Sequence, residues 1–314
     1  MNIVLTESLG IPQQLLDAYT APLIEAGHSF AAYPRTDDTA ELIREMRDAD
    51  ILMLANMPMP GEALKACTHL KFVDIAFTGV DHVDVAQARR MGAVVSNASG
   101  YSTQAVSELA ICMMLSLLRN VPQVERRCRD GLDKSGLIGG ELCGKTVGIV
   151  GLGKIGLNTA RLCAAFGCTV IGASRTHTSG ALPPVECVPM EDVFRRADIV
   201  VLHCPLNDST RQLVNARTLA LMKPGALLLN LARGPVVDTD ALAAALRDGR
   251  IGGAGIDVFE QEPPQPAAHP LLHTPNTIVT PHVAFASRES MALRAKIVFD
   301  NLRAFLAGKP ENVV

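Results

Sequence analysis

The 314-residue chain has no Cys-x-x-Cys pair among its eight cysteines, no block of like charges and no long uncharged apolar run. Each absence removes a class of protein. Cysteines 67, 112, 128, 143, 163, 168, 187 and 204 lie mostly in apolar stretches and lack the spacing of a zinc site or disulfide framework. They read as reduced thiols packed as small hydrophobes in a reducing cytosol, with no metal ion. A net charge of −3 gives no general attraction to nucleic acid or to an anionic membrane. The start, Met1-Asn2-Ile3-Val4-Leu5-Thr6, lacks the basic region and longer apolar core of a signal peptide and reads as a first β-strand. The most apolar stretch, Ala105 to Leu118, contains Glu108 and has helical periodicity, so a packed helix is expected there, not a membrane span. These features predict a cytoplasmic protein.

What is present is an alternation of apolar strand-like runs with amphipathic helices, the pattern of parallel α/β sheets. Strands are predicted at Ile3–Thr6, Ile51–Ala55, Phe72–Ala76 and Val94–Ser96, and then at Thr146–Val150, Thr169–Ala173, Ile199–Leu202, Ala226–Asn230, Gly253–Val258 and Thr277–Thr280. Hydrophobic content of 48% supports buried cores, and the length suggests two domains. An internal echo, Arg47 to Leu54 against Arg195 to Leu202, suggests that both are α/β units of related architecture. Two helices read as crossovers. One carries Val106, Leu109, Ala110, Met113, Met114, Leu117 and Leu118 and is limited by Pro122; the other carries Met291, Ala295, Val298, Leu302 and Phe305 and stops at Gly308. The expected organisation is a pair of flavodoxin- or Rossmann-like parallel-sheet domains. Residues 1–98 and 285–314 form a substrate domain, and a dinucleotide domain at 99–284 is inserted into it, with the substrate in the cleft between them. The polar segment Asn120 to Gly144 reads as a solvated helix and loop, or as a subunit contact.

Between Val150 and Leu157 lies Gly151-Leu152-Gly153-Lys154-Ile155-Gly156. A Gly-x-Gly-x-x-Gly run can be a ligand-free turn. Between a strand and a helix it acquires a mechanism. The first glycine permits the turn, the second admits a pyrophosphate, the third lets helix and strand pack, and the helix N-terminus offers free N–H groups. An NAD site usually places a carboxylate at the end of the next strand, to bind the ribose 2′-OH. This chain has Ser174-Arg175-Thr176 there. Those residues would donate hydrogen bonds to a 2′-phosphate and add a complementary charge, so NADP is the preferred cofactor. An NAD site with Arg175 solvated or stacked on adenine stays open.

Ligands of open α/β sheets sit at the carboxyl ends of strands. Arg233, Asp257, Glu262 and His282 all follow such ends. An Arg there suits a small carboxylate, because its fork offers paired donors. A His beside a Glu suits proton transfer near neutral pH. Singly, each has a plain alternative: a structural ion pair, a surface residue in a proline-rich turn, a strand-end cap. Together, downstream of the fingerprint, they describe a hydride-transfer site.

Four stretches make the resemblance specific. They are the fingerprint; Val201-Leu202-His203-Cys204-Pro205-Leu206-Asn207 with Thr210; Asn230-Leu231-Ala232-Arg233-Gly234-Pro235-Val236-Val237-Asp238; and Gly255 to Pro263 followed by Thr280-Pro281-His282-Val283-Ala284. In order and spacing the chain resembles the D-isomer-specific 2-hydroxyacid dehydrogenases over nearly its whole length. The resemblance implies a catalytic trio of Arg233, Glu262 and His282. It implies cofactor contacts from Asp257, from His203, Cys204 and Pro205, and from Thr210, Ala232, His282 and Ala284, beside Gly151, Gly153, Lys154, Ile155, Gly156, Ser174, Arg175 and Thr176. It implies substrate contacts from Arg233 and His282, from the loop at Thr78, Gly79 and Val80, and from a loop at Asn56 and Met57. Formate dehydrogenases pair Gln with the His, so Glu262 argues against that activity. The Asn56–Pro60 loop offers no Arg or Lys for a phosphate, and Met57 and Pro58 suggest a moderately apolar pocket. The implied activity is reduction of a small 2-oxo acid to the D-2-hydroxy acid, of glyoxylate or hydroxypyruvate type, by a homodimer meeting through the Arg119–Gly144 segment. The alternatives are an NAD-dependent D-lactate- or phosphoglycerate-type dehydrogenase and a non-catalytic NAD(P)-sensing protein of the same fold.

Overall fold

The computed structural model describes residues 1–176, 180–261 and 264–314. They fall into two compact units, Met1–Ser102 with Ala286–Val314, and Thr103–Phe285. Each is built on a parallel sheet, as the alternation of strand and helix requires.

In the first unit the strands are β1 (Asn2–Leu5), β2 (Ser29–Ala32), β3 (Ile51–Leu54), β4 (Phe72–Ile75) and β5 (Val94–Asn97), in the order β2-β1-β3-β4-β5. This is the flavodoxin-like order, and every pairing in it is parallel. β3 and β4 are buried throughout, as strands covered on both faces must be. Helix Arg288–Leu306 begins at a capping box between Ser287 and Ser290 and covers this sheet with buried Ala295, Val298, Phe299 and Leu302. Burying each of the three larger side chains stabilises the unit by about 1.5–3 kcal/mol. Its Phe305 ring stacks on Phe72 at 4.4 Å. The last residues then return to the sheet. Asn97 N donates to Asn312 O at 3.1 Å, Val314 N donates to Val95 O at 3.0 Å, and Ser96 faces Val313 in an antiparallel bridge.

In the second unit the strands are β6 (Thr146–Val150), β7 (Thr169–Ala173), β8 (Gly180–Leu182), β9 (Val185–Cys187), β10 (Ile199–Leu202), β11 (Leu227–Asn230), β12 (Gly253–Ile256) and β13 (Thr277–Val279). Their order is β13-β12-β11-β10-β6-β7-β9-β8. From β6 the chain runs outward through β7 and β9, then returns to β10 on the other side. The strand order therefore reverses between β6 and β10, where doubly wound sheets bind their ligands. Helix Thr103–Leu118 packs Val106, Ala110, Met113, Met114 and Leu117 into the core beside Ile149 and Leu229. Among the described residues no single helix is long and apolar enough to cross a membrane. That helix and the next, Val121–Arg129, pass only as a pair bent by 61°.

Several details differ from expectation. β2, β8 and β9 were not foreseen: β2 is short and half exposed, and β8 and β9 form an antiparallel pair at the sheet edge. Pro122 does not stop the first long helix. That helix ends at Leu118, Asn120 turns into left-handed backbone at φ 51°, and Pro122 stands in the first turn of Val121–Arg129. The thiols are not uniformly packed away. Cys67, Cys163, Cys187 and Cys204 are buried and Cys168 is intermediate, but Cys112, Cys128 and Cys143 are exposed; all eight are free. The Val121–Arg129 helix buries no residue, which fits a solvated segment.

Candidate dinucleotide and proton-transfer site

The glycine fingerprint follows β6. Gly151 has φ +100°, and a Cβ there would lie 2.6 Å from the Cys204 amide nitrogen and the His203 carbonyl carbon. Its N–H donates to Ala173 O at 2.8 Å, holding the turn against the end of β7. A Cβ on Gly156 would lie 2.0 Å from Gly151 O, so this helix can approach the turn only with glycine. Gly153 is different. It caps the helix Lys154–Ala165, is exposed, and would point a Cβ into open space with no atom within 4 Å. The helix starts earlier than its apolar pattern suggested, which places Lys154, Ile155 and Gly156 in the first turn with its free N–H groups. A tight turn, an open second glycine and a helix N-terminus are what a pyrophosphate needs, so these residues fit a dinucleotide.

At the end of β7, Ser174 is half-buried while Arg175 and Thr176 are exposed, and the two hydroxyls lie 3.4 Å apart. The first carboxylate after the fingerprint in sequence is Glu186, which is paired with Arg196 at 2.9 Å.

At the end of β10 the half-buried His203 ring is tied into a directed chain. Ser107 Oγ donates to Thr103 O at 2.8 Å, so it can only accept from Thr159 Oγ1, at 3.1 Å. Thr159 has then used its proton, and His203 Nε2, 3.0 Å away, must donate to it. Burial pushes the imidazole pKa down to about 4, so the ring is neutral at physiological pH. This chain secures the loop that backs Gly151. Beyond it Cys204 is buried and Pro205 is exposed; Thr210 Oγ1 donates to Pro205 O at 2.7 Å and shapes the turn.

Arg233, Asp257 and His282 follow β11, β12 and β13, three neighbouring strands. The Arg233 turn is held by buried Asn230, whose Nδ2 donates to Arg233 O at 3.0 Å and whose Oδ1 accepts from Ala232 N at 3.1 Å. One Arg233 nitrogen donates to Ala232 O at 2.8 Å, leaving a half-buried guanidinium at the strand end. A Cβ on Gly234 would lie 1.9 Å from the Phe259 carbonyl, so this turn and the loop after β12 touch backbone to backbone.

Asp257 is fully buried. Its Oδ1 accepts from Thr280 Oγ1 at 2.6 Å and Val283 N at 2.9 Å, and its Oδ2 from Ala284 N at 2.9 Å. His282 N donates to Asp257 O at 2.7 Å. These bonds hold His282 at φ +55° with its ring edge-on to Phe285 at 5.3 Å. The contact with nicotinamide implied for Asp257 has no exposed surface; the carboxylate fastens the histidine loop. Ala232 and Ala284 are likewise buried. Glu262 lies outside the described residues.

In the first unit the predicted substrate loops follow β3 and β4. Asn56, Thr78, Gly79 and Val80 are partly exposed. Met57 departs from expectation: its side chain is only 1% exposed and belongs to the core, so it lines no open apolar pocket. The β3 loop is held by a residue that sequence reasoning missed. Buried Glu7, at the end of β1, accepts from Ala55 N at 2.8 Å and Met57 N at 2.6 Å through Oε1. His82 Nε2 donates to Ala55 O at 2.8 Å and joins the two loops. No local pattern marks Glu7, His82 or Thr159; each meets its partner only through the fold.

These features define a dinucleotide-binding α/β oxidoreductase with an arginine at the end of β11 and a histidine at the end of β13, one strand apart. The sequence profile described as "D-isomer specific 2-hydroxyacid dehydrogenase, NAD binding domain" matches residues 111–284. The chain is 37% identical over 297 residues to a glycerate dehydrogenase of Methylorubrum extorquens, covering 91% of this chain and 92% of that one. It is 37% identical over 278 residues to a glyoxylate reductase of Thermofilum pendens, covering 86% and 82%. Among solved structures, the NADPH-dependent glyoxylate/hydroxypyruvate reductase of Sinorhizobium meliloti, in complex with NADP and malonate, superposes with a TM-score of 0.84 at 31% identity, covering 100% of this chain and 96% of that one. The chain belongs to the D-isomer-specific 2-hydroxyacid dehydrogenase family, and is a nicotinamide-dependent oxidoreductase.

Proposed function

We propose that this protein reduces a small 2-oxo acid to the D-2-hydroxy acid, of glyoxylate or hydroxypyruvate type, with NADPH preferred over NADH. The general activity is supported by the glycerate, glyoxylate and hydroxypyruvate enzymes among its relatives. The cofactor preference rests on one observation. The end of β7, fastened to Gly151, carries Ser174, exposed Arg175 and exposed Thr176 where an NAD site carries a carboxylate. An acid there would repel a 2′-phosphate, whereas an arginine pairs with it.

A bound reduced nicotinamide supplies hydride. The roles assigned to the protein are those of holding the acid and moving the proton. Arg233 pairs with the substrate carboxylate, with the Gly79 and Val80 amides as further donors. His282 gives its proton to the keto oxygen and recovers it in the reverse direction, with Glu262 assigned the role of its supporting carboxylate. The cytosol is the compartment, and a homodimer is the assembly. Its contact is the Arg119–Gly144 segment, where Leu132 and Ile138 are 59% and 87% exposed.

The deciding experiment measures initial rates with NADPH and with NADH at matched concentrations of glyoxylate, hydroxypyruvate and pyruvate. Faster turnover with NADPH is expected. A clear NADH preference overturns the cofactor assignment, and no turnover with any of the three acids overturns the activity.

A further inference from the structure

We infer that Glu260 is a positioning residue for Arg233: its carboxylate clasps the turn that carries the arginine to the loop after the next strand, and so fixes where the guanidinium meets the substrate. The inference rests on the reading of this protein as a 2-oxo acid reductase that holds its acid through Arg233, and adds a residue to that site.

The clasp closes on donors from two sides. Glu260 stands in the loop after β12. Its Oε1 accepts from Thr239 Oγ1, on the first residue of helix Thr239–Arg247, which continues the chain from the Arg233 turn. Its Oε2 lies 3.1 Å from His269 Nε2. Leu271 N meets the other ring nitrogen at 3.3 Å, and a backbone N–H can only donate, so Nδ1 accepts and Nε2 is the donor to Glu260. His269 is itself held in place. Its side chain is 11% exposed, its ring stands edge-on to Phe259 at 5.0 Å, and it opens the turn Pro270–His273, whose Leu271 is buried. Glu260 is 41% exposed, where attraction between charges adds little; what the two fixed donors supply is direction.

A plainer role, an acid favoured by the electropositive end of a helix, accounts for less. Asp238 already caps helix Thr239–Arg247, accepting from Ala241 N at 3.0 Å. Nor does that role explain His269, which comes from nine positions beyond Glu260 and aims its donor at the same carboxylate.

The backbone ties the same two segments. A Cβ on Gly234, the residue after Arg233, would lie 1.9 Å from the Phe259 carbonyl oxygen and 2.5 Å from Glu260 N. Arg233 is thus held from within its turn by Asn230, which donates to Arg233 O at 3.0 Å, and from beyond it by the Gly234 contact and the Thr239 bond. Its guanidinium follows the turn, because one of its nitrogens donates to Ala232 O at 2.8 Å. A fork that pairs with a carboxylate through parallel bonds tolerates little displacement. Loosening Glu260 therefore shifts the turn, and the turn carries the fork with it.

The test compares the wild type with Glu260→Ala, Thr239→Val and Glu260→Gln. It reads kcat/KM for glyoxylate at saturating preferred nicotinamide, and the dissociation constant of that nicotinamide by fluorescence titration. Alanine opens the clasp and valine removes the Thr239 donor alone. Glutamine keeps the clasp, since its oxygen accepts from His269 and its NH2 donates to the Thr239 oxygen. Glu260→Ala and Thr239→Val should each lower kcat/KM about tenfold, as a misplaced binding group does, with nicotinamide binding unmoved. Glu260→Gln should stay within about twofold of the wild type. A further arm places Glu260→Ala in an Arg233→Ala enzyme, where its effect should shrink to about twofold or less, because an absent arginine cannot be misplaced. Undiminished loss in that background, equal weakening of the nicotinamide, a glutamine as poor as alanine, or full activity in Glu260→Ala overturns the inference and leaves the reductase reading intact. If Glu260→Ala folds poorly, Thr239→Val decides the question by the same criteria. A wild type that reduces none of glyoxylate, hydroxypyruvate and pyruvate with either nicotinamide overturns the reading itself, and the inference with it.

Discussion

Asp257 and His282 are joined twice, once through the backbone, where His282 N donates to Asp257 O at 2.7 Å, and once through the carboxylate, which gathers the two amides that follow the histidine. The aspartate has no exposed surface, so its effect on chemistry passes through the histidine. Asp257→Asn turns one acceptor oxygen into a donor that faces amide N–H groups. Unfolding in urea should show a loss of about 2 kcal/mol, and kcat should fall with KM for the cofactor nearly unchanged. His282→Gln should cut kcat at least as far without the loss of stability. If Asp257→Asn keeps full turnover, the fastening has no bearing on the proton transfer.

Two glycines of the fingerprint should respond in opposite ways to the same methyl group. Gly156→Ala forces a Cβ to within 2.0 Å of Gly151 O, so melting should fall with the strain of an overpacked site, about 1–3 kcal/mol. Gly153→Ala meets nothing within 4 Å, so melting should hold while NADPH binding, followed by fluorescence titration, weakens. Equal effects on melting would contradict the division of roles between the two.

The end of β7 should control the cofactor. Arg175→Ala should weaken NADPH and spare NADH, by tenfold or more in relative kcat/KM, because one charge-assisted hydrogen bond of about 1.5–3 kcal/mol is lost. Ser174→Asp should go further, since a carboxylate both repels a 2′-phosphate and accepts from a ribose hydroxyl. Parallel losses for both nicotinamides would show that this turn does not read the 2′ position.

His203 should leave a mark on acid stability. Its pKa is pushed down from 6.5 to about 4 by burial. An unfolded chain takes up this proton below pH 6.5 while the folded protein refuses it until about pH 4. Stability from this group is therefore complete above the upper value and is lost as pH falls through the window. His203→Gln keeps a donor for Thr159 without a titrating ring, so its denaturation midpoint should fall less steeply across that window. Identical slopes for the two proteins would sink the assignment.

The parts of this molecule that were readable beforehand are those written in contiguous residues. β3 and β10 are uninterrupted apolar runs, and β11 is one up to its last residue Asn230, because both faces of the sheet are covered. The glycine turn and Ser174-Arg175-Thr176 are local as well. β2, with the sequence Ser-Phe-Ala-Ala and an exposed residue at each end, lacks both a continuous run and an alternation. β8 and β9 are three residues each and gain their order from pairing at an edge. The supporting polar residues are silent for another reason. Glu7 meets Ala55 across 48 positions, and Thr159 meets Ser107 across 52. A lone acid or hydroxyl in sequence carries no sign of a partner that far away. Met57 shows the converse: a loop position was read correctly, but which of its side chains turns inward is decided by Glu7 and not by hydropathy.

The tail that returns to β5 has a consequence for how the protein is made. Ser96 Oγ donates to Glu311 O across 215 positions, and Asn301 reaches back to Asp74 across 227. Between the two pieces of this unit lies the whole of the other, Thr103–Phe285, which is complete in sequence by Phe285. Domains emerging from a ribosome usually fold in the order they are synthesised. Here the order is inverted: the half synthesised first must wait, its β4 and β5 uncovered, until translation has delivered the helix and tail that close it. The dinucleotide unit can mature while still tethered, so the interval of greatest exposure to chaperones falls on the N-terminal sheet.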